Sequence, residues 1–198
     1  MSDMTVEPLS IDDRAVRGTS SSVMAMILFV ASESMFFMAF FGIYFSALAV
    51  QKVWPPRQIP LPEMGLPTAG IVVLGLSVVP IVLLVRSVRR SAAKGAMLWL
   101  IITLVLGLAF CVLQIAGYSS LGFGIHDGIY ASLFYIMTGL GLAHVVGGLV
   151  FVGLVMQQAA AGELSLRRDP AEALAVYWLF VVALGVALYF AFYAGVAG

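Results

Sequence analysis

Two ionisable side chains lie inside long apolar runs of this 198-residue sequence. Glu33 lies in the segment ASESMFF of the first run, and His144 lies in the fourth run. An ionised carboxylate in a bilayer costs about 2.5–3.5 kcal/mol on insertion scales, so we expect Glu33 to be protonated or to face a partner on another helix. We predict that His144 is this partner. Two roles stay open for Glu33, a satisfied packing residue or a carboxyl linked to protons or lipid.

The other polar residues do not form a catalytic or metal-binding set. Gln114 lies near one end of the third run and is expected to form a hydrogen bond between helices. The second histidine, His126, lies in a loop, and the single cysteine, Cys111, has no internal disulfide partner. The sequence has no nucleophile beside a base, no phosphate-binding loop and no cluster of metal ligands. We therefore expect no catalytic, cofactor-binding or metal-binding residue in this chain.

The composition is that of an integral membrane protein. Hydrophobic residues make up 62% of the sequence and charged residues 10%, whereas soluble domains average about 45–50% and about 25%. Continuous apolar runs of about 20 residues or more predict membrane-crossing helices and argue against a β-barrel. The zero net charge gives no electrostatic support for nucleic-acid binding. We predict an all-α bundle of five transmembrane helices, over Ser22–Val50, Leu66–Val85, Ala96–Tyr118, Gly128–Gln157 and Ala171–Val196.

Local signals predict how these helices begin and bend. Pro80, inside the second run, predicts a kink. Asp127 is placed to cap the fourth helix. Asp169, Pro170 and Glu172 have the spacing of an N-cap, a first helical residue and a capping box for the fifth helix. Three tryptophans are interpreted as anchors at the membrane interface: Trp54, Trp99 and Trp178.

The positive charges of the loops predict the orientation. Eight Lys and Arg residues lie on the side of the N-terminus, and only Lys52 and Arg57 lie on the other side. We therefore predict that residues 1–21 form a cytoplasmic N-terminal tail. Residues 22–198 form the transmembrane domain, with the C-terminus periplasmic or extracellular.

The order and spacing of several motifs resemble subunit III of the haem–copper oxidases, which include cytochrome c and quinol oxidases. The segment ILFVASESMFFMAFFGIYFSAL resembles the family's helix with a membrane-embedded glutamate, and Glu33 matches that glutamate. The motifs WPP, LQIAGY, DGIYASLFYIMTGLGLAHVVGG and VYWLF follow in the family's order. The sequence lacks polar residues of the family pattern at four positions, which indicates a divergent branch: Gly117, Gly141, Leu179 and Val182.

This resemblance implies a non-catalytic subunit III of a bacterial haem–copper oxidase, in a five-helix form and in the plasma membrane. It implies that haem and copper are bound by partner subunits I and II. The chain would pack on subunit I, bind phospholipid and support proton uptake. Another small subunit, or lipid, would cover the face left by two helices of the longer form. Two other functions stay open, an accessory protein of a nitric oxide reductase and a small membrane transporter.

Overall fold

The computed structural model describes residues 20–51, 53–57, 59–60, 62–90, 93–165 and 168–194. The regular elements of these ranges are helical, and five segments are long and apolar enough to cross a membrane. The predicted all-α bundle of five transmembrane helices is therefore confirmed. The predicted N-terminal tail lies almost entirely outside the described residues. The elements are α1 (Ser21–Val50), α2 (Gly65–Leu76), α3 (Val78–Arg89), α4 (Ala93–Ser119), α5 (Ile129–Ala160), a 3-10 turn (Glu163–Ser165) and α6 (Asp169–Phe192).

Helix α6 contacts four of the other helices, α1, α2, α3 and α5. Helix α4 packs against α2, α3 and α5 on the other side of the bundle. Helix α1 lies at the edge, where it packs along α6 and touches α5 over a shorter stretch. Its buried residues are Val23, Phe37 and Tyr44. Most of α1 is therefore exposed on the surface of the bundle.

The second transmembrane segment is interrupted at Ser77, between α2 and α3. Pro80 has no N–H, and its ring clashes with the carbonyl four residues earlier, so the regular helix is broken about one turn before the proline. This agrees with the predicted kink. The Ser77 hydroxyl donates to the Leu74 carbonyl and accepts a hydrogen bond from Trp178 Nε1 at 2.8 Å. The interruption thus provides an acceptor for a buried indole.

Trp178 is not an interface anchor, so this prediction was wrong. It is the tenth of the 24 residues of α6, and its side chain is 0% exposed. Two glycines of neighbouring helices make room for the indole. A Cβ atom on Gly148 would lie 2.9 Å from the ring, and one on Gly107 would lie 3.0 Å from it. These glycines and Ser77 are distant in sequence, so hydropathy alone did not reveal a buried site with a partner for the indole N–H.

The fourth transmembrane helix is α5, and the cap predicted for it is replaced by a turn. The Asp127 carboxylate accepts a hydrogen bond from the Gly124 backbone N–H at 2.6 Å. The N-cap position belongs to Gly128, which has a φ of 124° and makes no side-chain cap. Asp127 therefore closes the loop before the helix, because its carboxylate reaches a nearer N–H within that loop.

The fifth transmembrane helix is α6, and the capping box predicted for it is absent as well. The helix begins at Asp169, and Arg168 at the N-cap position makes no side-chain hydrogen bond to it. Glu172 instead pairs with Arg89 of α3, with Arg89 Nε 2.9 Å from Glu172 Oε1. The Arg89 cation of a neighbouring helix competes with the backbone for the Glu172 carboxylate. The local sequence pattern does not reveal this cation.

We expect a single added methyl group at Gly148 to destabilise the bundle. Gly148→Ala places a Cβ against Trp178 and Tyr177, and such overpacking costs about 1–3 kcal/mol. The matched control is Gly153→Ala in the same helix, where no atom lies within 4 Å of the new Cβ. Thermal unfolding in detergent should show a lower midpoint for Gly148→Ala only. Equal midpoints for the two variants would contradict the close packing around Trp178.

Candidate functional site

Glu33 and His144 are in direct contact near the middle of their helices. Glu33 is the thirteenth of the 30 residues of α1, and His144 is the sixteenth of the 32 residues of α5. His144 Nε2 lies 3.1 Å from Glu33 Oε2. The side chains are 14% exposed for His144 and 25% exposed for Glu33. The structure thus brings together the two ionisable residues that the sequence analysis paired.

A backbone carbonyl fixes one proton on the His144 ring. His144 Nδ1 lies 2.8 Å from the Leu140 carbonyl oxygen, which can only accept, so Nδ1 carries a proton. The contact between Nε2 and Oε2 then contains one further proton. Either the Glu33 carboxylic acid donates to a neutral imidazole, or an imidazolium donates to the Glu33 carboxylate. The pair has zero net charge in both arrangements, and they differ only in the position of this proton.

Aromatic side chains surround the pair. The ring centroid of Phe37 lies 5.2 Å from that of His144, and the centroid of Phe180 lies 6.1 Å from it, both in edge-to-face arrangements. The Tyr177 hydroxyl donates to the His144 backbone carbonyl at 2.9 Å. Because water does not screen charges in such an apolar environment, separated charges are expensive there. The surroundings therefore favour the arrangement in which Glu33 is the donor.

Gln114 lies elsewhere, on α4. It lines a cavity together with Thr138 of α5 and with Tyr193, which follows α6 directly. The structure thus places Gln114 beside the end of α6 rather than beside Glu33 and His144.

Sequence reasoning missed a set of hydroxyl groups at the end of α6. The last carbonyls of a helix have no partner within it. Tyr44 of α1 donates to the Ala191 carbonyl, and Tyr130 of α5 donates to the Phe192 carbonyl at 3.1 Å. Trp54 Nε1 in turn donates to the Tyr44 hydroxyl at 3.2 Å. No local pattern in the sequence pointed from Tyr44 to the end of α6.

Haem or copper does not fit the part of the chain that the structure describes. Those residues contain no group of three or more His, Cys, Asp and Glu side chains able to bind a metal ion. Both ring nitrogens of His144, the histidine within a span, are in hydrogen bonds. Haem iron and copper need donor atoms from residues such as His, Cys or Met. The described side chains therefore offer no set of ligands for haem or copper.

Comparison with known proteins gives the family. The family model for cytochrome c oxidase subunit III matches residues 3–196. The chain belongs to the cytochrome c oxidase subunit III family. This confirms the resemblance seen in the order of the motifs.

Members of the cytochrome c oxidase subunit III family occur in a longer form and in one close to this chain in length. The cytochrome c oxidase subunit 3 of Pylaiella littoralis is 33% identical over 177 residues, which are 86% of this chain and 65% of that protein. The subunit from Struthio camelus is 34% identical over 175 residues, 85% of this chain and 67% of the relative. The subunit from Thermostichus vulcanus is 27% identical over 179 residues, 89% of each protein. The chain thus spans about two thirds of the longer relatives.

We predict that Glu33→Gln leaves the bundle nearly as stable as the wild type. The glutamine amide N–H can donate to His144 Nε2 as a carboxylic acid does. Glu33→Leu removes this donor and should destabilise the protein by about 1–2 kcal/mol, the range found for hydrogen bonds between membrane helices. Thermal unfolding of both variants in detergent measures the difference.

Ser34→Ala is the control, because the Ser34 hydroxyl bonds only to the Val30 carbonyl of its own helix. If Glu33→Gln is as destabilising as Glu33→Leu, the pair is ionic and the neutral arrangement is wrong. Infrared difference spectra report the proton directly, since a carboxylic C=O band present in the wild type should be missing in Glu33→Gln.

Proposed function

We propose that this chain is a non-catalytic subunit of a haem–copper terminal oxidase in an aerobic respiratory chain. The family match over residues 3–196 is the observation that carries this proposal. Five segments able to cross a membrane support it. In this proposal the haem and copper centres belong to partner subunits, of which subunit I is the main contact and subunit II the second. Electron transfer and oxygen reduction then occur outside this chain.

The chain's own contribution is to pack against subunit I, bind phospholipid and help sustain proton uptake. Large apolar side chains are exposed along α1, among them Leu28, Met35 and Met38. Such a surface suits lipid tails or a neighbouring transmembrane helix. The partly exposed Glu33 carboxyl lies on the same helix and shares one proton with His144. A further small subunit or lipid covers the face that two additional helices cover in longer relatives.

We further propose that the complex lies in a bacterial plasma membrane with the N-terminus of this chain in the cytoplasm. Arg86, Arg89 and Arg90 are exposed at the end of α3, and Arg168 is exposed beside the start of α6. Arg57 lies in the segment at the opposite end, between α1 and α2. This asymmetry supports the orientation because loops that carry more positive charge stay in the cytoplasm.

Purification of the chain from its native membrane tests the proposed function. Gentle solubilisation followed by native mass spectrometry should give a complex with larger subunits that contain haem and copper. Non-haem iron without copper would point instead to a nitric oxide reductase. Transport by the purified chain alone in liposomes would point to a transporter. Either result would overturn the oxidase proposal.

We predict that breaking the Glu33–His144 pair makes the oxidase lose activity faster during turnover. Its initial rate should stay unchanged. His144→Leu removes the side chain that shares the Glu33 proton, but the catalytic centres lie in other subunits. Oxygen consumption should therefore start at the wild-type rate and decline faster during continuous turnover.

Leu179→Phe is the control for this experiment, because Leu179 is exposed on α6 and contributes no polar atom. The His144→Leu complex could be stable and lose activity no faster than the Leu179→Phe complex. This result would show that the pair has only a structural role.

A further inference from the structure

A second polar region lies between α2, α4, α5 and α6. It is a cavity of about 40 Å³, and neither Glu33 nor His144 lines it. Apolar residues such as Leu74 and Val181 form most of its wall. Gln114, Thr138 and Tyr193 add polar groups to that wall. The proposed oxidase function assigns no role to this cavity.

The polar groups of the wall have unused hydrogen-bonding capacity. The Thr138 hydroxyl donates to the Phe134 carbonyl and accepts from the Tyr118 hydroxyl at 2.9 Å, which leaves one lone pair on its oxygen. The Gln114 amide has two N–H donors and an oxygen with two lone pairs. A hydrogen bond to the Tyr193 hydroxyl would occupy only one of these four sites. Polar groups between transmembrane helices are strongly stabilised by filling such sites.

Two leucines of the cavity wall pack closely against glycine backbones. A Cβ on Gly141 would lie 2.8 Å from Leu188 Cδ1, and one on Gly185 would lie 2.8 Å from Leu74 Cδ2. All four residues line the cavity. The lack of a side chain at Gly141 and Gly185 therefore leaves room for these leucines in the wall.

We infer that this cavity binds ordered water, with Gln114 as the main hydrogen-bonding partner. One water molecule needs about 10–15 Å³ of such space and two to four polar partners. The cavity volume of about 40 Å³ therefore has room for about three water molecules. Cavities without polar partners stay dry and bind xenon instead. The polar wall thus distinguishes this cavity from a packing defect.

Xenon binding and water density test the inference on the full chain with its co-purifying subunits. In the wild type, a high-resolution map should show water density within hydrogen-bonding distance of the Gln114 amide, and xenon under pressure should not enter. Gln114→Leu removes the main partner, so the variant should lose this density and bind xenon. Gln157→Leu is the matched control, because Gln157 is exposed near the end of α5, and it should behave as the wild type.

Three results would overturn the inference. One is a wild-type cavity without density in a map that resolves other internal waters. Another is xenon bound in the wild-type cavity. The third is unchanged water in Gln114→Leu. The two wild-type measurements test whether the cavity binds water even if Gln114→Leu does not fold. None of these results depends on the oxidase assignment.

Discussion

The hydrocarbon core of the bilayer offers no hydrogen-bond partners, so each polar side chain within a span must find one inside the protein. Among the described residues, none of the fully buried side-chain nitrogen or oxygen atoms lacks a partner. Some hydroxyl groups satisfy themselves within their own helix, as Thr103 does with the Trp99 carbonyl at 2.9 Å. Larger polar groups also use partners on other helices: His144 bonds through Nδ1 to the Leu140 carbonyl of its own helix and through Nε2 to Glu33 of α1. This need for partners on other helices shapes the bundle.

These hydrogen bonds join segments that are far apart in sequence. Trp178 and Ser77 are 101 residues apart, and His144 and Glu33 are 111 residues apart. Burial of apolar side chains does not by itself select helix neighbours in a membrane, because lipid tails are equally apolar. Polar pairs and close glycine contacts therefore specify which helices meet. The indole of Trp178 combines both, since its N–H needs Ser77 and its ring needs the glycines of two other helices.

The sequence was sufficient to predict the helices because bilayer thickness dictates their length and composition. It also predicted the interruption of the second span, because the effect of Pro80 is local. Features that depend on other helices were predicted less well. Trp178 was assigned to the interface and Glu172 to a capping box, whereas distant residues determine the contacts of both.

In the candidate site, too, local features could be predicted from the sequence and contacts between helices could not. Glu33 and His144 stood out in the sequence because ionisable residues within a span are energetically costly and therefore rare. Their contact depends on the packing of α1 beside α5, which no local pattern encodes. The neighbours of Gln114 were not predictable, because they come from other helices, Thr138 from α5 and Tyr193 from the residue after α6. The cavity beside Gln114 arises from side chains of four helices, so only the folded structure reveals it.

Two positions at which the family resemblance implies polar residues, Leu179 and Gly141, have surroundings that suit apolar residues. Leu179 is 45% exposed on the surface of α6, where a histidine would face lipid unless another subunit covered it. Gly141 packs so closely on Leu188 that even a Cβ would require movement. The Glu33–His144 pair, in contrast, needs little from the rest of the family's network, because the two side chains share one proton and the Leu140 carbonyl accepts the other. A pair in which each side chain supplies a partner for the other can lie in hydrocarbon without further polar side chains.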